Sequence, residues 1–233
     1  MPDPFDFSTK QDLPPLLWKN KRLDRSVRLK LLSIAGEFIE YLSIPPELLN
    51  LQDVTITGSA ANYNWTLGFS DIDLHLICYV DEKYRELISE LATAKKDLWN
   101  ANYPISIRGF DVELYVQHVN EPHASSGVYS IANDRWIIEP SKNYLADVDL
   151  DDVRALADEL SADIEDAIDG CASDACLSAV KDKLKAVRKQ GLDSTDGEMS
   201  VQNLAFKALR RTGKIGDLLA ARKKLKTQQL SLR

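Results

Sequence analysis

The sequence predicts a mixed α/β fold, a β-sheet flanked by helices, followed by a C-terminal helical region. Three observations predict it: short apolar runs with strand-like alternation recur between residues 54 and 119, a helical apolar spacing separates the second run from the third, and helical spacing dominates after residue 146. The chain has 233 residues, of which 44% are hydrophobic, enough for one sizeable core with a helical appendage. We therefore divide it into a core with an N-terminal helix (1–145) and a helical region (146–233).

The first part of the core is predicted to be an irregular arm followed by a helix. Residues 1–15 are polar and end in paired prolines, which favour an irregular conformation. From Asp24 to Leu42 apolar residues recur at helical spacing, and Pro45 and Pro46 then end the pattern. A helix over 24–42 should pack on the core.

The sheet is predicted from four strand signals and one crossover helix. The strands cover 54–57, 74–80, 105–107 and 112–119, and the helix covers 82–100. A short apolar run at Trp136 to Ile138, within 130–143, predicts a further strand or a lid. The result is a mixed sheet.

Three helices are predicted in the C-terminal region. The first, within 146–169, is densely acidic on a helical apolar frame, and the second covers 176–189. Gly191 marks the end of the second helix, and a loop is predicted over residues 193–197. A last helix is predicted from Val201 toward Leu219.

Two carboxylates within the predicted sheet point to chemistry. Asp71 and Asp73 are spaced one residue apart, so on a strand they project to one face, while Ile72 and Leu74 project to the other. Asp is depleted in strands, and two carboxylates on one face repel unless a cation lies between them. Mg²⁺ takes one or two protein carboxylates together with substrate phosphates. The pair therefore predicts a metal site for phosphoryl chemistry; the alternative is a solvated strand face.

The stretch TGSAANYNWTLGFSDIDLHL, residues 57–76, resembles the signature of the DNA polymerase β-like nucleotidyltransferase superfamily. Gly58 and Ser59 match its turn, and Ser70 to Leu74 match its acidic strand. The resemblance implies a nucleotidyltransferase-type sheet, with the turn beside an NTP triphosphate, two carboxylates on Mg²⁺ or Mn²⁺, and a third carboxylate from a later strand. Residues 197–213 also resemble a C-terminal signature of uncharacterised viral relatives.

The segment from Gly109 to Val116 supplies the third carboxylate. Alternation puts Asp111, Glu113 and Tyr115 on one face. The resemblance selects Glu113 as the catalytic and metal-binding position, with Asp111 as the reserve. An exposed acidic edge strand is the alternative for both.

The surroundings of the acidic pair leave alternatives open. His75 shares the face of Asp71 and Asp73. It is either a catalytic or metal-binding group or, as the preferred interpretation, a histidine that hydrogen-bonds a site carboxylate or lies at the far end of the strand. Asn62, Tyr63, Asn64 and Trp65 either stack on a base or anchor the loop. Ser59 orients phosphate or caps a helix, and these two roles are compatible.

The C-terminal stretch is strongly basic. Lys207, Arg210 and Arg211 are candidates to reach the triphosphate, and the final residues could follow a nucleic acid. The alternative is that this stretch neutralises the acidic helix or faces solvent. A net charge of −7 argues against indiscriminate nucleic-acid binding.

Composition indicates a cytoplasmic, membrane-free protein with reduced thiols. The N-terminus lacks a basic region followed by an apolar one, and no run is long enough to cross a bilayer. The three cysteines are an odd count, and Cys171 and Cys176 lack further nearby Cys or His residues for a zinc site.

The function expected from the resemblance is transfer of NMP from an NTP to a hydroxyl. The acceptor is left open among a small molecule, an RNA end and a protein side chain. The alternative is a noncatalytic nucleotide- or partner-binding module with the same fold.

Overall fold

The computed structural model describes residues 3–123, 125–142 and 148–232, which form two compact units. The first, the sheet unit, is Ser8–Tyr144. The second, the helical unit, combines the N-terminal segment through Phe7 with the chain from Leu145 onward. This architecture confirms the prediction of a mixed α/β fold with a C-terminal helical region.

The sheet unit contains eight strands and two long helices among its described residues. In chain order they are β1 (Trp18–Lys19), β2 (Arg22–Leu23), α1 (Arg25–Leu42), β3 (Leu49–Thr57), β4 (Ile72–Val80), α2 (Arg85–Asn102), β5 (Ser106–Ile107), β6 (Phe110–His118), β7 (Val128–Ser130) and β8 (Arg135–Ile138). β1 and β2 form a separate hairpin that the sequence analysis did not predict. The predicted strand or lid near Trp136 is the β7–β8 hairpin.

The main sheet has the order β5-β6-β4-β3-β7-β8. β4 is antiparallel to β3 and parallel to β6, so α2, between β4 and β6 in the chain, is part of a crossover connection. This parallel pair is the element that brings two acidic segments, distant in sequence, to adjacent strands.

The two faces of the sheet differ in chemistry because side chains alternate along each strand. Ile72, Leu74 and Leu76 of β4 are fully buried, and they belong to the same apolar core as Leu31 and Phe38 of α1. Asp73, between two of these residues, is only partly buried on the opposite face. The apolar face therefore stabilises the unit and leaves the other face for polar groups.

The helical unit has four helices among its described residues: α3 (Leu150–Gly170), α4 (Asp174–Leu192), α5 (Val201–Arg211) and α6 (Lys214–Leu230). Leu160 and Ile164 of α3 share a core with Leu184 of α4 and Leu218 of α6. A second cluster joins Phe7 to α3 and α5. Phe7, in the middle of the predicted irregular arm, is thus buried against helices.

One predicted helix is in fact two. The expectation of a continuous helix from Val201 toward Leu219 is wrong, because the chain turns at Thr212 and Gly213. Gly213 adopts φ +83°, a left-handed conformation that favours glycine, and its N–H donates to the carbonyl of Arg210.

The expectation of reduced thiols is wrong for Cys171 and Cys176, which form a disulfide. Cys171 ends α3 and Cys176 lies in the first turn of α4, so the connection between the helices brings their Cα atoms to 5.8 Å. Cys78 is a buried free thiol. Within the described ranges, no helix combines the length and the apolar character that a membrane span needs.

Candidate functional site

Three neighbouring strands place three polar residues side by side on the same face of the sheet. Asp73 of β4 pairs with Thr57 of β3 on one side and with Glu113 of β6 on the other. Neighbouring strands lie about 4.8 Å apart, so these three side chains form a short row across the polar face. Asp73 and Glu113 are partly buried, and Thr57 is buried. The row lies where β3 ends and where β4 and β6 begin.

Gly58 closes the end of β3 directly onto the Asp73 carboxylate. A Cβ atom at this position would lie 1.7 Å from Asp73 Oδ2 and 2.9 Å from its Cγ. Gly58 has φ +70° and ψ −158°, a region that is essentially restricted to glycine. The turn that resembles the nucleotidyltransferase signature is therefore packed against the second acid of that signature.

The other two predicted acids, Asp71 and Asp111, each lie two residues before Asp73 and Glu113 in the chain. Asp71 is partly buried and directly precedes β4. Ile72 pairs with Val112, so Asp71 and Asp111 come at the next polar level after Asp73 and Glu113. Asp111 is exposed and belongs to the pairing of β6 with the edge strand β5, opposite Ser106.

Glu113 is held by its own strand. The Tyr115 hydroxyl, two residues along on the same face, donates to Glu113 Oε2 at 2.6 Å. In the parts of the chain that the structure describes, no group of three or more His, Cys, Asp or Glu side chains is arranged to hold a metal ion. The carboxylates of Asp71 and Asp73 have the chemistry that Mg²⁺ prefers, since this ion often takes two carboxylates with the rest of its ligands from water and phosphate.

His75 is bound by neutral neighbours. Its Nδ1 lies 2.8 Å from Gln117 Oε1, and its ring stacks on Tyr115 with centroids 4.9 Å apart. Burial lowers the pKa of this imidazole, although the Gln117 hydrogen bond opposes the shift. His75 therefore braces Tyr115, and its hydrogen bond is to the side-chain amide of Gln117 rather than to a site carboxylate.

The predicted phosphate-side turn is short. Ser59–Ala61 forms a single 3₁₀ turn whose N-cap is Gly58, so Ser59 is not the capping residue. The Ser59 hydroxyl is partly exposed and makes no hydrogen bond within the described residues. Ser70, by contrast, is buried, and its Oγ accepts the Thr66 N–H at 2.9 Å, which closes the turn before β4.

The loop between turn and acidic strand is anchored in the sheet unit. Asn62 Nδ2 donates to Ser126 Oγ, and Trp65 Nε1 donates to the Asp12 carbonyl at 2.9 Å. Tyr63 is buried. Of the two roles left open by the sequence, these contacts supply the anchoring one.

Sequence reasoning missed the segment that covers the turn. Ser125 Oγ accepts the Gly58 N–H at 3.1 Å, and a Cβ at Gly127 would lie 2.2 Å from the Ala61 carbonyl oxygen. The available signal was the run of small residues from Ser125 to Gly127, because only small residues allow such close backbone approach.

The basic residues predicted to reach the triphosphate lie in the helical unit. Arg211 Nη1 donates to the carbonyls of Pro4 and Asp6 at 3.0 and 2.9 Å, and its guanidinium lies over the Phe7 ring. Burial lowers the pKa of both Arg211 and the Lys207 ammonium. Arg210 is exposed at the end of α5. Arg211 thus holds the N-terminal segment of its own unit.

The acidic and basic helices also pair within the helical unit. Lys183 and Lys214 bind Asp163 and Glu165 of α3 at 2.6 and 2.5 Å. Lys183 belongs to α4, whereas Lys214 belongs to the basic C-terminal stretch, so the Lys214–Glu165 pair is an instance of the charge neutralisation that the sequence left as one interpretation for that stretch.

Comparisons of the chain with protein-family models, with curated proteins and with solved structures gave no match. The class of protein therefore has to be inferred from the site itself.

Proposed function

We propose that the protein is a metal-dependent nucleotidyltransferase that moves an NMP group from an NTP to an acceptor hydroxyl. The observation that carries this proposal is the row formed by Thr57, Asp73 and Glu113, with Gly58 packed against the Asp73 carboxylate. The mixed sheet is interpreted as a nucleotidyltransferase-type sheet on the same grounds, together with the resemblance of residues 57–76.

Asp71 and Asp73 would hold Mg²⁺ or Mn²⁺ with the phosphates of the nucleotide. When bound, the ion would neutralise phosphate charge and lower the pKa of the acceptor hydroxyl. Ser59, whose hydroxyl has no hydrogen bond within the described residues, is the candidate donor to a phosphate oxygen. Gly58 keeps the backbone of the turn close to the Asp73 carboxylate, because no larger residue fits at that position.

Glu113 is the candidate proton acceptor. The acceptor oxygen forms a bond to the α-phosphorus, the bond from that phosphorus to the bridging oxygen breaks, and pyrophosphate leaves with the electron pair. The hydroxyl proton would pass to Glu113 Oε1, since Oε2 already accepts the Tyr115 hydroxyl. Tyr115, stacked on His75, would hold that carboxylate in one orientation.

A second candidate function is a noncatalytic module that binds nucleotide or a partner with the same fold. The observation that favours it is the lack, among the described residues, of a group of three acids or other ligands arranged around a metal. Such a module would retain nucleotide binding and show no transfer.

The test is incubation with each α-labelled NTP, Mg²⁺ or Mn²⁺ and a cell extract, followed by identification of the labelled species. Asp71→Asn and Asp73→Asn should each abolish label transfer, and Glu113→Gln should reduce it strongly. The matched control is Asp81→Asn, at the far end of β4, where the side chain only caps a short turn. Undiminished transfer by either metal-pair variant contradicts the assignment, and nucleotide binding without label on any acceptor supports the noncatalytic module.

A further inference from the structure

The outer face of α2 carries an apolar stripe that its own unit does not use. We call it the α2 seam. It consists of exposed residues spaced alternately three and four apart, the first in the short turn before α2 and the others in α2: Tyr84, Leu87, Leu91, Ala94, Leu98 and Ala101. Leu87 is 65% exposed and Leu98 is 56% exposed. Alternate spacing of three and four is the apolar pattern of a coiled-coil helix.

The seam is separate from the face that anchors the helix. Ile88 and Ala92 are buried in the core of the sheet unit, and Trp99 packs against the same core. Because a helix turns about 100° per residue, these residues lie to one side of the seam. Burial in the core of the sheet unit explains why Ile88, Ala92 and Trp99 are apolar. The exposed residues of the seam take no part in that core.

The charges beside the seam differ between its two edges. In heptad terms the edge toward the sheet carries Ile88 and Lys95, and Lys95 Nζ is engaged by the Leu42 carbonyl. The open edge carries Lys83, Glu90 and Asp97, and Glu86 lies on the same side.

The open edge is acidic overall. Lys83 lies over the Tyr84 ring, and Asp97 pairs with its neighbour Lys96. Glu86 and Glu90 make no ion pair within the residues that the structure describes. A helix that docks on the seam would meet this edge.

This edge discriminates between partners. Two copies packed antiparallel through their seams would bring Glu90 and Asp97 of one copy against the same acids of the other, and like charges across such an interface cost affinity. Parallel packing of two copies would require contacts through the edge that carries Ile88 and Lys95, and this edge already faces the sheet of its own unit. An anionic lipid surface would also be repelled.

We propose that the α2 seam is the docking site for an amphipathic helix of a partner protein, with apolar residues at three- and four-residue spacing and Lys or Arg along the edge that meets Glu90 and Asp97. The proposal does not depend on the proposed function, since the seam residues take no part in the carboxylate row.

The probe is a labelled synthetic three-heptad peptide with leucine at the seam-facing positions and lysine at the flanking positions, titrated with the full chain by fluorescence anisotropy. A second peptide carries glutamate at the flanking positions. The lysine peptide should bind at least tenfold more tightly than the glutamate peptide, and higher salt should reduce that ratio.

Two variants of the chain sharpen the test. Leu87→Gln/Leu91→Gln should weaken binding of the lysine peptide at least tenfold, whereas Leu29→Gln, at an isolated exposed leucine of α1, should leave it unchanged. Glu90→Lys/Asp97→Lys should reverse the preference between the peptides.

Three results would overturn the proposal. The first is equal binding of both peptides, and the second is lysine-peptide binding that survives Leu87→Gln/Leu91→Gln. The third is self-association of the chain, or binding of the chain to anionic vesicles, that Leu87→Gln/Leu91→Gln abolishes. Dimers would be measured by analytical ultracentrifugation and vesicle binding by co-sedimentation.

Discussion

Substitution of Gly58 by alanine should destabilise the sheet unit through one identifiable clash. The added Cβ would lie 1.7 Å from Asp73 Oδ2, so either the carboxylate or the turn must move. The backbone at φ +70° adds strain of about 1–3 kcal/mol for a residue with a Cβ, and overpacking adds a similar amount. We expect the free energy of unfolding to fall by about 2–6 kcal/mol.

Tryptophan fluorescence in urea measures this loss in the relevant unit, because all four tryptophans, Trp18, Trp65, Trp99 and Trp136, belong to Ser8–Tyr144. The matched control is Gly36→Ala, inside α1, where an added Cβ meets nothing within 4 Å. Since alanine is a better helix former, that variant should gain up to about 1 kcal/mol.

A double-mutant cycle separates the clash from the backbone strain. Removal of the carboxylate in Asp73→Ala should make Gly58→Ala less costly by at least about 1 kcal/mol, while the strain from positive φ remains. An equal cost in both backgrounds would refute the close packing of the turn on the acid. A cost below about 0.5 kcal/mol, within the range of an ordinary surface substitution, would refute the whole reasoning.

Two further predictions concern charge. Arg222→Ala should destabilise the helical unit by about 1–3 kcal/mol, because Arg222 binds both oxygens of Asp174 at 2.9 and 3.3 Å and each side chain is only 19% exposed. Lys189→Ala, which removes an exposed pair, should cost about 0.5 kcal/mol or less, and equal losses by circular dichroism in urea would contradict this. At the start of α1, hydrogen bonds from Lys19 and Ser26 hold the pKa of Asp24 well below its usual range. The stabilising contribution is then present above the unfolded pKa of about 3.9 and is lost as pH falls toward the folded pKa. The advantage of the native chain over Asp24→Asn should therefore be constant between about pH 7 and 5 and smaller at pH 3, and an unchanged difference in urea midpoint at pH 3 would contradict it.

The parts of the fold predicted correctly are those encoded by local periodicity. The alternation of Asp71 to Leu76 predicted which residues of β4 are buried, because the strand has one apolar face. The helix predicted over 24–42 is α1, bounded by the Asp24 cap. The β1–β2 hairpin was missed because strands of two residues are too short to show a period.

The parts that failed depend on distant contacts or on one residue within a longer pattern. The break between α5 and α6 depends on Gly213, and a single glycine is tolerated in a helical pattern. The Cys171–Cys176 disulfide depends on how two helices meet, which a count of cysteines does not define.

The candidate site was predictable in composition and not in arrangement. Asp71, Asp73 and two later acids could be named from alternation, but which of the later acids lies level with Asp73 depends on strand register. The pairing of β4 with β6 puts Glu113 there and leaves Asp111 exposed. The hydrogen bond from Tyr115 and the contact of Ser125 with Gly58 likewise require the folded backbone.

The bond between Arg211 and the Pro4 carbonyl sets an order of events during synthesis. The two residues are 207 positions apart, and the whole sheet unit lies between them in the chain. At about 5–20 residues per second, a ribosome needs about 10–40 s to make the second partner after the first. The sheet unit can fold in that interval. The Phe7 side chain, by contrast, stays exposed until α3 and α5, which bury it, have been synthesised.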